Sequence, residues 1–166
     1  LGGIMSTYLE LTADDGVVSI TDRGTAGELN LRAVPGALAD PGAYPARFLV
    51  NQPERFSTNW TGMTDLPLVA RAASSLYPAF GGRRIDGVVY IDPIGVAALM
   101  ELSGPIELPA IGAVIDADNV VDFLNVGQYA SFDDQTERKE YLTDIAGGTF
   151  ERLLSGELPS PRTLGS

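Results

Sequence analysis

The sequence contains no cysteine and no histidine. These two absences exclude catalysis by Ser-His-Asp or Cys-His arrangements and zinc sites built on thiolate or imidazole ligands. Any chemistry therefore falls to carboxylates, arginines, hydroxyls, the single lysine Lys139, or a hard cation held by oxygen atoms. The residue types identify no catalytic residue, and we predict neither a metal site nor a cofactor from them.

Positive charge is scarce. Eleven Lys and Arg residues stand against 22 Asp and Glu residues, which gives a net charge of −11. A field of this sign repels the phosphates of nucleic acids and the surfaces of anionic membranes. We therefore predict no nucleic-acid partner. Every cation except Lys139 is an arginine, whose planar guanidinium suits carboxylate and phosphate groups, although a GC-rich genome explains the same bias more simply.

No apolar run is as long as a membrane span, and no signal peptide is present. The chain starts at Leu1 within an apolar phrase, so we expect it to be a segment of a longer protein. The length of 166 residues is that of one domain. We predict one globular domain over residues 1–156 and a flexible, Pro/Ser-rich tail over residues 157–166.

The first sixty residues predict a hairpin and a long arm. The phrase MSTYLELTADDGVVSITD alternates polar and apolar residues on both sides of Asp15-Gly16, which is typical of two strands joined by a tight turn. Residues 23–59 hold four prolines and several glycines. This composition predicts a mostly irregular Pro/Gly-rich arm with a short helix near residues 27–32.

A helix and a buried strand are predicted next. The phrase TDLPLVARAASSLYPAF begins with a capping residue, Thr64 or Asp65, and repeats apolar residues at helical spacing. Pro67 suits the first turn of that helix. The run from Val88 to Ile91 is apolar throughout, which is typical of a central strand covered on both faces.

The second half of the chain predicts an alternation of short elements. In order, these are a helix between Asp92-Pro93 and Gly104, strands over residues 106–108 and 113–115, a helix capped by Asp116, and a long helix over residues 134–155. Because strands and helices alternate, we predict an α/β fold, with α+β as the alternative. In it, helices flank a central mixed β-sheet.

The acidic residues of these segments have a structural explanation. Asp86 and Asp92 stand at the two ends of the predicted strand, about 20 Å apart at the usual rise, which is too far for one shared catalytic step. We interpret Asp92 as a helix cap and Asp86 as a strand-entry residue. Helix starts also explain the acidic clusters at residues 116–122 and 133–137, which lack the pattern of a calcium loop.

Arg138 lies four residues after Asp134, near the start of the last helix. One interpretation is an i,i+4 ion pair between them, which contributes roughly a few tenths of a kcal/mol. The other interpretation is an arginine that binds phosphate. The spacing alone leaves both interpretations open.

Two consecutive phrases resemble a known family. RRIDGVVYIDPIGVAALMELSGPIEL and the following IDADNVVDFLNVGQYASFDDQTERKEYLTDIAGGTFERLL are similar to the family called domain of unknown function 4012. The hairpin and the helix over residues 64–80 resemble the elements that precede them in that family, which is typical of envelope proteins of actinobacteria and other Gram-positive bacteria. The resemblance implies an extracytoplasmic domain of the cell envelope, anchored to the membrane in the full-length protein.

A more distant resemblance is to LytR-CpsA-Psr domains, which transfer undecaprenyl-linked glycopolymers to peptidoglycan and hold pyrophosphate and Mg²⁺ with Arg and Asp side chains. It implies a ligand site at Asn59, Asp134 and Arg138. The sequence lacks the Ser-x-Pro-Arg-Asp strand end and the Tyr-x-Arg-x-Arg phrase of those domains. Arg47 and Arg55 are the nearest substitutes for the missing arginines.

Three functions fit these observations. The first is a non-catalytic scaffold or binding module for a wall glycopolymer or a polyprenyl-phosphate ligand, which the missing arginines favour. The second is an Mg²⁺-dependent phosphotransferase or pyrophosphatase that acts on polyprenyl-pyrophosphate-linked glycans. The third is a protein–protein assembly domain in which an edge strand pairs with a partner. The sequence leaves the oligomeric state open.

Overall fold

The structure is a computed structural model that describes residues 4–63, 65–132 and 134–156. Helices and short two-stranded sheets follow one another along the chain. The predicted mixture of α and β structure is therefore confirmed. The predicted tail, residues 157–166, lies outside the described residues.

The chain divides into two compact units. The first unit combines the residues up to Tyr8 with Gly24–Tyr90, and the second combines Leu9–Arg23 with the residues from Ile91 onward. Each unit has a hydrophobic core of its own. The single domain over residues 1–156 stays a prediction.

The predicted hairpin is confirmed. It consists of β1 (Thr7–Asp14) and β2 (Val17–Thr25). Asp15 and Gly16 form the turn, with φ angles of 47° and 81°. Two successive left-handed residues are what a two-residue hairpin turn requires, and an aspartate followed by a glycine tolerates that conformation best.

The predicted arm, residues 23–59, is mostly irregular, as expected, but side chains anchor it. Its regular elements are short: α1 (Ala26–Asn30), a 3₁₀ turn (Pro41–Ala43), α2 (Ala46–Val50) and the start of a second 3₁₀ turn (Ser57–Gly62). The Asn30 Oδ1 atom accepts hydrogen bonds from the backbone N–H of Ser57 at 2.6 Å and from its hydroxyl at 2.9 Å. The Trp60 indole donates to the Pro53 carbonyl at 2.7 Å. These bonds give partners to buried polar groups that regular secondary structure does not pair in this segment.

The predicted helix after the arm is confirmed as α3 (Leu66–Ala79), with Asp65 at its N-cap and Pro78 in its last turn. The rings of Trp60 and Phe80 meet edge to face, 5.2 Å between centroids. The buried side chains of this core come from the arm, from α3 and from the residues beside it: Leu29, Leu38, Tyr44, Phe48, Trp60, Met63, Val69, Ala72, Ala73, Leu76, Tyr77 and Phe80. The arm is thus part of the core of the first unit.

The prediction of a strand from Val88 to Ile91 is wrong. These residues have no regular secondary structure, and the Val89 side chain is 80% exposed. Strands within the described residues form two separate two-stranded sheets and not one central mixed sheet. A strand requires a neighbour that pairs with its backbone. This segment instead connects the first unit, which ends at Tyr90, to the second part of the second unit, which starts at Ile91. The interpretation of Asp86 as a strand-entry residue is wrong for the same reason.

The second unit contains the predicted helix α4 (Pro93–Ser103). The Asp92 Oδ1 atom accepts a hydrogen bond from the Gly95 N–H at 2.8 Å, as expected of an N-cap. Gly104 ends the helix at a φ of 80°, which a side chain would disfavour. The interpretation of Asp92 as a helix cap is confirmed.

Two predicted short strands follow, β3 (Ile106–Leu108) and β4 (Ala113–Ile115). They pair antiparallel, with Ile106 opposite Ile115. Their alternate side chains enter the core of the second unit, whose buried members are Met100, Ile106, Leu108, Ile115, Val120 and Ile145. Both strands are confirmed at the predicted residues.

The predicted helix after Asp116 starts at Val120, four residues after its predicted cap. The Asp116 carboxylate accepts hydrogen bonds from the N–H groups of Asp118 and Asn119, both at 3.1 Å. The helical run then comprises α5 (Val120–Asp122), a π-helical turn (Phe123–Gly127) and α6 (Gln128–Ser131).

The last helix is α7 (Gln135–Ser155), close to its predicted bounds. Ile145 and Leu153 are buried as expected, whereas Leu154 is 39% exposed. Buried threonines complete the inward face because their hydroxyls bond within the helix: the Thr149 Oγ1 atom donates to the Ile145 carbonyl at 2.7 Å. Among the described residues, no helix is both long and apolar enough to cross a membrane.

Candidate functional site

The most distinctive polar contact in the second unit joins Arg138 to Tyr129. The Cζ atom of the Arg138 guanidinium lies 4.3 Å from the centroid of the Tyr129 ring. Tyr129 is nevertheless 62% exposed, so most of its phenol remains accessible to solvent. The Arg138 Nε atom is buried and has no hydrogen-bond partner among the described residues. A guanidinium held against an aromatic face in this way is attracted by the ring's negative charge density.

Two pairs of residues at i,i+3 spacing position this contact: Tyr129 with Phe132, and Arg138 with Tyr141. Phe132 stacks on Tyr141 with centroids 4.6 Å apart and planes inclined by 21°, and Phe132 is buried. Residues three apart on a helix share a face, so Arg138 lies on the same face of α7 as Tyr141. Phe132 thus anchors the end of α6 to α7, and Tyr129, three residues earlier, meets Arg138.

The segment before Tyr129 has unusual backbone geometry. The π-helical turn Phe123–Gly127 inserts one extra residue per turn, a feature that is rare and frequent at functional sites. The Gln128 side chain is buried and donates its amide N–H to the Leu124 carbonyl. With Gln128 facing inward, the adjacent Tyr129 faces solvent.

Asp134 has a structural role. Its Oδ1 atom accepts hydrogen bonds from the N–H groups of Thr136 at 2.7 Å and Glu137 at 2.9 Å, which satisfies the first turn of α7. Within the described residues, no ion pair joins Asp134 to Arg138. The interpretation of these two residues as an i,i+4 ion pair is therefore wrong.

Charges of both signs surround Arg138 on α7. Asp134 and Glu137 are exposed carboxylates within one helical turn of it. Lys139 follows Arg138 directly, so two cations stand beside these two carboxylates, on a chain whose net charge is −11.

The other predicted site residues lie in the first unit. Arg47 is exposed on α2. Arg55 is exposed, and its Cζ atom lies 5.3 Å from the centroid of the Phe56 ring. The Asn59 amide donates to the Asn51 carbonyl at 2.6 Å, which ties the second 3₁₀ turn to the end of α2.

The predicted ligand set is thus divided between the two units. Asn59, Arg47 and Arg55 belong to the first unit, and Asp134 and Arg138 belong to the second. Two of the five, Asn59 and Asp134, form hydrogen bonds to the backbone with their side chains.

Metal ligands do not gather anywhere in residues 4–63, 65–132 and 134–156: no group of three or more carboxylates there converges on one point. The acidic run at residues 116–122 illustrates why. The carboxylate of Asp116 is directed at its own backbone, and the amide of Asn119 donates to the Val114 carbonyl at 3.0 Å.

Sequence reasoning did not find Tyr129 or Phe132. Both stand in the phrase QYASF, which the sequence shows only as a departure from the arginine-rich phrase of LytR-CpsA-Psr domains. The repeated spacing, Tyr129-x-x-Phe132 and Arg138-x-x-Tyr141, is the signal that was available. It becomes informative only when the two segments are known to pack together.

Comparison with known families gives one match. A family model described as "Protein of unknown function (DUF4012)" matches residues 1–129, more than three quarters of the chain. The predicted family is confirmed, while the likeness to LytR-CpsA-Psr domains stays a prediction. Asp134 and Arg138 lie beyond the matched residues. The searches of curated proteins and of solved structures gave no match.

Proposed function

We propose that this chain, which belongs to the family of proteins of unknown function DUF4012, is a non-catalytic module that binds a wall glycopolymer in the bacterial cell envelope. The ligand surface in this proposal is the contact between Tyr129 and Arg138 on the second unit. The envelope location and the membrane anchor of the full-length protein are part of the proposal, and they come from the family resemblance described above.

The stacking of Arg138 on Tyr129 carries the proposal. The phenol is 62% exposed and offers a flat apolar surface, against which the C–H face of a sugar ring packs well. The guanidinium, held 4.3 Å from the ring centroid, brings N–H donors to the edge of the same surface. A planar apolar surface bordered by donors matches the alternating apolar faces and hydroxyl oxygens of a glycan.

The roles of the carboxylates favour binding over catalysis. A general acid, a general base or a ligand for Mg²⁺ needs a carboxylate that is directed at substrate. Asp92 and Asp134 instead accept backbone N–H bonds at the starts of α4 and α7. The Mg²⁺-dependent phosphotransferase alternative therefore has less support than the binding module.

Calorimetric titration tests the proposal. The purified chain is titrated with defined fragments of a wall glycopolymer and, separately, with a water-soluble short-chain polyprenyl diphosphate. We expect the glycan to bind, Tyr129→Ala to weaken binding about tenfold or more, and Arg138→Gln to weaken it by a similar factor.

The first unit offers matched controls. Arg55 and Phe56 form the same kind of guanidinium–ring contact, with Cζ 5.3 Å from the centroid. Arg55→Gln and Phe56→Ala should leave glycan affinity unchanged. If these variants reduced binding as much as the changes at Tyr129 and Arg138, the proposed surface would be incorrect.

The same titration separates the other functions. Binding of the diphosphate but not the glycan, with loss in Arg138→Gln, would favour a lipid-linked phosphate ligand. Release of phosphate in the presence of Mg²⁺ would contradict the non-catalytic proposal. Fractionation of cells that express the full-length protein checks the location, and recovery in the cytosolic fraction would contradict the envelope assignment.

A further inference from the structure

The hairpin has one polar and one apolar face. The hydroxyl of Thr21 donates to the Glu10 Oε1 atom at 2.7 Å and lies 3.2 Å from the Thr12 hydroxyl, so these three side chains share one face. Because strand side chains alternate, the opposite face carries the neighbouring apolar residues. We call this the hairpin face. Its large aliphatic members are Leu9, Leu11, Val18 and Ile20, and by the same alternation Ala13 and Asp22 also lie on it.

The described residues cover the hairpin face only in part. Leu11 and Val18 are 40% and 39% exposed, and Leu9 and Ile20 are half-buried. None of the four belongs to the core of either unit in the described part of the chain. Aliphatic side chains that share one strand face and lie outside any core are typical of interaction surfaces.

The hairpin also lacks a third strand. Within the described residues, β1 and β2 pair only with each other, so each keeps one unpaired backbone edge. Sheets with an apolar face usually need three or more strands for stability, and an unpaired edge is a template for one more. The open edges and the hairpin face together present the surface to which an extended peptide adds.

Charge indicates the partner. Two exposed carboxylates, Asp14 and Asp15, lie side by side at the hairpin turn. The one cation, Arg23, donates to the Glu151 carboxylate at 3.0 Å. The field around the hairpin is therefore negative, and it repels a second copy of a chain whose net charge is −11.

We propose that the hairpin is a docking surface for an extended segment of a different protein, with alternating apolar side chains and Lys or Arg at its ends. The segment adds as a third strand by backbone hydrogen bonds. Its apolar side chains extend the hairpin face, and its cations lie near the aspartates of the turn. This inference does not depend on the glycan site, because it uses other residues.

A synthetic peptide tests the proposal. The probe has nine residues, the length of β2, with alternating Val and Thr and a Lys at each end. A fluorescent label on the probe allows anisotropy titration with the complete chain. We expect saturable binding, and we expect the double substitution Leu11→Thr, Val18→Thr to weaken it about tenfold. Threonine keeps the β-propensity of the strands, so the hairpin should still form.

Three controls make the result specific. Val114→Thr changes an exposed valine on the other two-stranded sheet and should leave binding unchanged. A peptide of the same composition with its valines grouped together should bind weakly, because its apolar side chains no longer fall on one face. A peptide with N-methyl groups on alternate amides should fail to bind, because it cannot donate to the open edge.

The opposite results overturn the proposal. Absence of binding removes it. Equal binding of the grouped and alternating peptides indicates general attraction to an acidic protein and also removes it. If light scattering shows the chain alone forming a dimer that the double substitution abolishes, the occupant is a second copy and the proposed partner is wrong.

Discussion

The guanidinium of Arg23 occupies the space beside Gly147 on α7. A Cβ atom built on Gly147 would overlap the Arg23 Nη1 atom and would lie 3.4 Å from its Cδ atom. From this position Arg23 donates to the Glu151 Oε1 atom, one helical turn further along α7, at 3.0 Å. The glycine pair that interrupts the apolar face of α7 thus has a packing function, since Gly148 similarly makes room for the Ile106 side chain.

This contact predicts a coupled effect of two substitutions. Alanine in a helix is about 1 kcal/mol more favourable than glycine, but Gly147→Ala must displace Arg23. We expect Gly147→Ala alone to stabilise by clearly less than that value. In an Arg23→Ala background the full gain should appear, because nothing then needs to move. Urea denaturation of the four proteins measures the coupling.

Arg152 provides the control for this cycle. It is an exposed arginine on the same helix, and replacing it by alanine should leave the effect of Gly147→Ala unchanged. The Arg23–Glu151 pair itself should contribute no more than about 1 kcal/mol, since both side chains are largely exposed. Equal effects of Gly147→Ala with and without Arg23 would contradict the packing interpretation.

The two aspartates that frame the segment between the units should differ in their contribution to stability. Asp92→Ala removes the acceptor for the Gly95 N–H and should lower the free energy of unfolding by about 1 kcal/mol. Asp92→Ser should restore most of the loss, because serine also caps. Asp86 is exposed in an irregular segment, so Asp86→Ala should change stability by less than about 0.5 kcal/mol. Equal losses in the two alanine variants would be inconsistent with this assignment.

The Tyr44 hydroxyl is expected to reduce stability. It is buried without a hydrogen-bond partner among the described residues, and its ring packs 5.5 Å from that of Phe48. Tyr44→Phe removes an unpaired polar atom without changing the packing, and should stabilise the chain by about 1 kcal/mol. Tyr129→Phe, at an exposed position, should have almost no effect on stability.

Tyr44 also predicts a dependence of stability on pH. Burial raises the pKa of Tyr44 above its ordinary value of 10.0; nearby Arg71 lowers this pKa and Asp40 raises it. The folded chain therefore retains the phenol proton to higher pH than the unfolded chain. Ionisation of Tyr44 therefore does not lower the free energy of unfolding below pH 10.0. It lowers the free energy of unfolding as the pH rises from there through the raised pKa. Thermal melts from pH 8 to pH 11, about three units, should show a smaller alkaline loss for Tyr44→Phe.

Gly82 should tolerate no side chain. A Cβ atom there would overlap the ring of Tyr77, which is buried and packs edge to face on Tyr8 at 5.8 Å. A buried ring cannot rotate away as an exposed arginine can, so Gly82→Ala should destabilise by about 1–3 kcal/mol. Gly87→Ala is the matched control, since no atom lies within 4 Å of its Cβ position. It should be neutral or slightly stabilising, and a comparable loss there would argue against a steric cause.

Signals confined to a few neighbouring residues were sufficient to predict most elements. Asp15-Gly16, Asp92-Pro93 and Gly104 each mark a boundary that the structure confirms. At these positions the determining interaction is a hydrogen bond or a φ angle within one turn, so the local sequence contains all the information needed. Asp134 was predicted at a helix start for the same reason, and its carboxylate does cap α7.

The candidate site was predicted only in part. Arg138 was identified, but its expected partner was Asp134, at helical spacing on the same segment. Its actual neighbour is Tyr129, on a different helix, and that contact depends on how Phe132 packs on Tyr141. Side-chain spacing within one helix carries no information about which other segment lies against it.

The order of residues alone therefore established the caps, the turns, the composition limits on chemistry and the family. Three other features depended on residues far apart in the chain. They are the pairing of Val88–Ile91 with another strand, the entry of the proline-rich arm into a core, and the ring that lies against Arg138. Backbone pairing and side-chain burial require two surfaces at once. The sequence of one segment specifies only one of these surfaces. The other belongs to a distant segment that tertiary folding brings next to it.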